Sequence, residues 1–428
     1  MTSVSNRPRV AVVGGGWAGC AAALTLAEAG AAVTLFEAAR TLGGRARTVE
    51  LDGQRLDNGQ HILLGAYRHA LRLTERVHPA GTQSGLWRLP LVLDQPPDFR
   101  LACPHLPAPL HLLAGILGAR GLGWRDKLAA ARWARAALGT AETPEEQTVS
   151  ELTCGQPQKL RAMLWHPLCV AALNTPPEIA SARVFLDVIR GAFGGSARAS
   201  DLLLPQRELS ALFPEPAAAR VIELGGEIRL ASRVTGLAAS RHGVTLSTRD
   251  ETSTYSHVIL AVAPQHLPAL AAQVAALEPA GRAVARYRYQ PIATAYLQYD
   301  PDFALAGPML ALANGPAQFA FDRGRSHGQR GLLALVASAA TNLPADWLDR
   351  AEAQLRRIAD PGPARWRKRI VEKQATYSCV PDMVRPPVHT PHPRIFLAGD
   401  YTAGPYPATL ESATWSGVQS ASSLLETL

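Results

Sequence analysis

Residues 9–13 read RVAVV and run directly into GGGWAG at residues 14–19, and this junction constrains the fold more than any other part of the chain. An unbroken apolar run suits a parallel strand buried on both faces. The G-x-G-x-x-G spacing then gives each glycine a task. Gly14 allows a tight turn, Gly16 lets backbone approach a pyrophosphate, and Gly19 lets the helix expected over residues 20–29 pack closely on the strand. Gly15, Trp17 and Ala18 complete the loop that would face the phosphates. Gly30 ends the helix, and a second apolar strand at residues 33–36 stops at Glu37, 23 residues after Gly14, with Ala38 beside it. A carboxylate there can accept both hydroxyls of a ribose. Glycines alone also serve plain turns. Strand, helix, strand and terminal acid together read as a dinucleotide-binding unit. The acid favours an adenosine ribose without a 2′-phosphate and leaves NAD and FAD both open.

Two further stretches bear on that choice. Residues 40–48 (RTLGGRART) place a glycine pair, Gly43 and Gly44, before Arg45, which can meet phosphate oxygens. Residues 394–400 (RIFLAGD) form another buried strand ending at Gly399 and Asp400, followed by a Gly-Pro loop and a helix expected over residues 408–416. These features resemble the large FAD-binding family of amine oxidases, protoporphyrinogen oxidases and carotenoid desaturases. The resemblance implies that Gly43, Gly44 and Arg45 lie along FAD and that Asp400 holds its ribityl chain. It also implies that Pro407, Ala408 and Thr409 open a helix aimed at the isoalloxazine, and that Val234 lies near the adenine.

A narrower resemblance is carried by LDNGQHILLGAY at residues 56–67, ALNTPPEIASA at 172–182, EKQAT at 372–376 and PATLESA at 407–413. These segments resemble the hydroxysqualene dehydroxylases. That likeness implies FAD chemistry on a long apolar isoprenoid, the reduction of hydroxysqualene to squalene, with an electron donor that the sequence does not name. It places Gly59, Gln60 and His61 beside the flavin. His61 is the first candidate proton donor because imidazole titrates near neutrality; its other reading is a structural histidine bonded to backbone or cofactor. Glu411 is the second candidate, and Lys373 and Tyr401 follow. A carotenoid-type polyene desaturase and a non-catalytic prenyl-binding protein of the same architecture are the alternatives.

The resulting expectation is an α/β protein: a Rossmann-like FAD-binding domain built from residues 1–75, 206–264 and 385–428, and an α+β substrate domain from residues 76–205, which read as mainly helical, and 265–384. Residues 217–234 (AAARVIELGGEIRLASRV) read as a helical stretch, a glycine turn and a strand pair returning the chain to the FAD domain. A chain of 428 residues with 47% hydrophobic and 18% charged residues can fill such cores. The net charge of +8 is spread without any block of like charges, and no nucleic-acid motif accompanies it. The five cysteines lack metal or disulfide spacing, and no metal site is expected. No second glycine fingerprint marks a nicotinamide domain. The polar leading residues differ from a signal peptide, so a cytoplasmic location is expected. Residues 101–138 mix Leu, Ile and Trp with basic residues, which admits peripheral contact with the inner face of a membrane. Their apolar run at residues 110–117 is too short to span a bilayer.

Overall fold

The computed structural model describes residues 7–79, 84–139 and 146–428. Residues 1–6, 80–83 and 140–145, which the expected domain ranges include, lie outside the described residues. The strand Arg9–Val13 sits at the centre of a five-stranded parallel sheet, between Ala32–Phe36 and His257–Leu260, with Glu227–Arg229 and Ile395–Leu397 at the edges. Period-two alternation sends its side chains to two different cores. Val10 and Val12 join Leu35 and Ile259 beneath the helices, whereas Ala11 and Val13 join Phe36, Val258 and Leu260 against a three-stranded antiparallel meander, Gly236–Ala239, Val244–Ser247 and Thr252–Tyr255. Burial on both sides is the reason the sequence reads as an unbroken apolar run.

The helix Trp17–Glu28 is apolar around most of its circumference because it is enclosed on every side. It touches the sheet, the helix Pro214–Glu223 and the C-terminal helix Leu410–Leu425. Small residues set the last contact: a Cβ on Gly417 would lie 2.2 Å from the carbonyl oxygen of Ala18.

A second five-stranded sheet is antiparallel, ordered Met309–Ala311, Phe319–Asp322, Leu332–Ala337, Tyr289–Gln298 and Trp366–Tyr377. Ala293, Ala295 and Leu297 point to one face, where the helix Trp347–Leu355 adds Trp347, Ala351 and Leu355. Ile292, Phe319, Phe321 and Val336 point to the other face and wall a cavity. Four helices, Leu110–Gly118, Trp124–Gly139, His166–Leu173 and Ala182–Phe193, contribute to its other walls.

Three local expectations change. The first helix begins at Trp17, directly after the glycine loop, instead of at residue 20. The strand pair expected before Val234 is one short strand, Glu227–Arg229; beyond it Ala231 takes φ +51° and its amide bonds to Ala39, so the chain turns under Glu37. The block read as helical also holds the strands Leu86–Leu89, Val92–Gln95, Phe99–Ala102 and Leu202–Pro205, whose apolar residues are too few for periodicity to separate strand from helix.

A cradle formed by both ends of the chain

Gly14 adopts φ +114°, and a Cβ there would lie 2.5 Å from the carbonyl oxygen of Ala261. A Cβ on Gly19 would overlap the carbonyl of Gly14. Both positions therefore require glycine, as the spacing suggested. Gly16 starts the helix with no side-chain cap, so its leading amides stay open toward the cavity. Glu37 is engaged differently from expectation. Its Oε2 accepts the Gly15 amide and its Oε1 the Ala39 amide, each at 2.7 Å, so the carboxylate also braces the loop.

The far end closes on the same place. Arg45 Nη2 donates to Asp400 Oδ1 at 2.5 Å and Nη1 donates to the Ala375 carbonyl at 3.0 Å. The Asp400 carbonyl accepts the Tyr377 hydroxyl at 2.7 Å and the Ser412 hydroxyl at 3.1 Å. Thr409 caps the C-terminal helix by accepting the Ser412 amide. The positive ends of two helices thus face one cavity.

That cavity measures about 1070 Å³, at the top of the roughly 300–1,000 Å³ range of small-molecule sites. The expected cofactor-facing residues line it, except Gly15, Gly19 and Pro407, which stand behind the wall. Its deeper part is apolar, with Leu112, Ile116, Trp133, Leu164 and Phe193 among its walls.

Gln60 and His61 line the same space. His61 Nδ1 lies 2.8 Å from the Gly59 carbonyl. A carbonyl only accepts, so Nδ1 carries the proton and Nε2 keeps a lone pair. Burial, with Arg45 nearby, lowers the pKa of His61 and favours this neutral form. Gln60 Oε1 accepts from Arg323 Nη1 at 3.1 Å, which leaves the carboxamide N–H groups available. Among the described residues neither His61 Nε2 nor Gln60 Nε2 has a partner, and neither is sealed from the cavity. Together they offer the cavity one acceptor and one donor, the two functions that a hydroxyl group can meet.

Arg323 itself is fully buried, donating to Asp57 at 3.3 Å and to Gln329 at 2.6 Å. Burial pushes the Asp57 carboxyl up to about 6, against the pull of Arg323. His327, 3.9 Å from Asp57, is pushed down to about 3 by burial and by Arg323. The DNGQH segment therefore stands on a buried ionic base.

Glu411 is a correction. It does not line the cavity; its carboxylate accepts the amides of His69 and Ala70 at 2.9–3.0 Å and caps the helix Arg68–Arg76. Lys373 is exposed on its strand and Tyr401 is buried outside the cavity wall, so neither reaches the space. Asn174 is a site residue that spacing missed. It ends the helix His166–Leu173 at φ +46°, donates to Thr376 Oγ1 at 2.9 Å and accepts the Ala339 amide at 2.6 Å, joining the helical wall to the antiparallel sheet. An Asn ahead of Thr-Pro-Pro at the end of an apolar helix was the available signal.

The hydroxysqualene dehydroxylase of Sinorhizobium fredii is 28% identical to this chain, covering 96% of it and 97% of the relative. That of Rhodopseudomonas palustris is also 28% identical, covering 97% and 98%. Among solved structures, cyclohexylamine oxidase from Brevibacterium oxydans superposes with a TM-score of 0.69 at 16% identity, over 98% of this chain and 99% of that one, a likeness of fold. The model of the flavin containing amine oxidoreductases matches residues 17–425, and with that span the chain belongs to this family of flavoenzymes.

Proposed function

We propose that the protein binds FAD and reduces hydroxysqualene to squalene, releasing the hydroxyl as water. The observation that carries this reading is similarity along nearly the full chain to hydroxysqualene dehydroxylases, joined to a large apolar cavity whose lining includes a free acceptor on His61 and a free donor on Gln60. In this reading residues 1–75, 206–264 and 385–428 form the FAD domain, and residues 76–205 and 265–384 the substrate domain. The cradle fits the dinucleotide: open helix amides and Gly16 suit the pyrophosphate, Glu37 and Val234 the adenosine end, and Arg45 with Asp400 the ribityl region. Reduced FAD would supply the hydride.

The chain's own residues have three tasks. The apolar walls exclude water and hold a thirty-carbon chain in a fixed pose. Gln60, oriented by Arg323, presents an N–H to the substrate oxygen. His61 accepts the substrate hydroxyl while neutral, and once protonated it can deliver a proton from Nε2 to the departing oxygen. One proton on oxygen and one hydride on carbon balance the loss of water, and delocalisation across the allylic system lowers the barrier to C–O cleavage. A cytoplasmic protein in peripheral contact with the inner membrane face would meet such a substrate where it dissolves.

The test is anaerobic product analysis. Chemically reduced enzyme should convert hydroxysqualene to squalene, with the bound cofactor released on denaturation and identified as FAD. Turnover of phytoene by the oxidised enzyme, with no squalene from the reduced form, would replace this reading by a desaturase.

A further inference from the structure

We propose that the helices Leu110–Gly118 and Trp124–Gly139 form a docking face for an anionic lipid surface, and that the apolar substrate reaches the cavity behind them from that surface. The route of entry rests on the proposed function; the docking face does not.

Eleven large apolar side chains are exposed among the described residues, and five of them, Leu106, Leu110, Leu117, Trp124 and Leu128, fall within residues 106–128. Single exposed apolar residues are ordinary, whereas a cluster marks a binding surface. Trp124 is 70% exposed and Leu110 54%. The helical spacing makes the cluster one face. Leu110 and Leu117 project outward, with the half-buried Leu113 between them, while Leu112 and Ile116 line the cavity; on the next helix Trp124 and Leu128 project outward while Trp133 and Ala134 line it. Lys127 Nζ donates to the Leu117 carbonyl at 2.8 Å and ties the two helices together. The same pair of helices therefore separates the cavity from solvent with an oily surface on each side.

Charge decides what covers the outer surface. Residues 101–139 contain Arg120, Arg125, Lys127, Arg132 and Arg135 against the single acid Asp126. The four arginines are exposed and have no ion-pair partner among the described residues. A second copy of this chain across a two-fold axis would bring these like charges together. Anionic headgroups would neutralise them, with Trp124 at headgroup level and the leucines dipping toward the acyl chains. No helix among the described residues is long and apolar enough to cross a membrane, so the contact is shallow.

Sedimentation of the holoenzyme with vesicles, without substrate, tests the face. Binding to phosphatidylglycerol–phosphatidylcholine vesicles should exceed binding to phosphatidylcholine alone and fall with salt. Replacing Trp124 and Leu128 together by Glu should release the protein, and each Arg→Gln change at 120, 125, 132 or 135 should weaken binding by about fivefold. These side chains are exposed, and an unchanged melting temperature checks the fold. The proposal is overturned if wild-type protein ignores both vesicle types, if the double Glu variant binds as wild type does, or if light scattering finds a dimer that the variant dissolves. For entry, Leu110→Glu should raise KM at least tenfold for hydroxysqualene in anionic vesicles and leave kcat with detergent-dispersed substrate unchanged; equal effects in both would overturn the entry route. Vesicle binding without turnover of either preparation would leave the face standing and defeat the proposed reaction instead.

Discussion

In the proposed reaction, His61 is where the residue scale can be tested. Its Nδ1 proton is committed to the Gly59 carbonyl, and burial holds its pKa below the ordinary value near 6.5. A histidine in that state is an acceptor in the resting enzyme and an acid only after taking up a proton. If it protonates the departing oxygen, single-turnover dehydroxylation should fall as pH rises through a value below 6.5, approaching tenfold per unit above it. His61→Ala should lose about 100-fold or more and abolish the slope, with flavin retention checked by absorbance. A flat profile from pH 5 to 8, with the variant within threefold of wild type, would leave His61 a structural residue. The sequence placed His61 in a polar cluster beside an apolar run, which is how it lies. Its tautomer was not legible, because that depends on a carbonyl two residues away being turned toward the ring. Glu411 was misread for a related reason: the motif located a carboxyl near a helix start, but its partners are amides of a different helix more than 300 residues earlier.

Elements are joined by buried polar groups that no local pattern announces. The helix Arg68–Arg76 begins at Tyr67 without a side-chain cap of its own, and Glu411 supplies one from the C-terminal helix. Glu411→Ala should destabilise by about 2–3 kcal/mol by orphaning those amides, read as a lower urea midpoint, while turnover of the folded protein stays within a few-fold. Loss of turnover at undiminished stability would return Glu411 to the chemistry. The Asp57–Arg323–His327 group links the strand Gln54–Asp57 to the helix Arg323–His327. His327 titrates near 3 when folded and near 6.5 when unfolded, so between those values the unfolded chain binds more protons. Its contribution to stability is intact above pH 6.5 and is lost as pH falls from 6.5 toward 3. His327→Gln should flatten the decline of melting temperature between pH 6.5 and 4; an unchanged decline would assign it to other groups.

At the scale of the whole molecule, the parallel sheet is assembled from strands at residues 9–13, 32–36, 227–229, 257–260 and 395–397, so neither terminus can build the site alone. Glycine spacing and strand-terminal acids made this convergence legible, since the RVAVV and RIFLAGD segments each carry the apolar run and small residues that a buried parallel strand needs. The walls of the cavity were less legible, because short strands and Leu-Ala helices share the same apolar letters until tertiary contacts choose between them. What holds the two ends in register is the crossing of the helices Trp17–Glu28 and Leu410–Leu425, where Gly417 meets the backbone of Ala18. A side chain at 417 would strike a carbonyl oxygen that cannot rotate aside, so the helices must separate. Both helices begin at the cavity, at Trp17 and beside Thr409, and their separation would spread the cradle from both ends. Gly417→Val should therefore cost at least about 1–3 kcal/mol and weaken flavin retention, whereas Gly417→Ser, with a smaller side chain, should be milder in both. Calorimetry alongside flavin content after gel filtration reads the two together. A valine variant that melts at the wild-type temperature with full flavin would mean that the two ends are fixed by the strands alone.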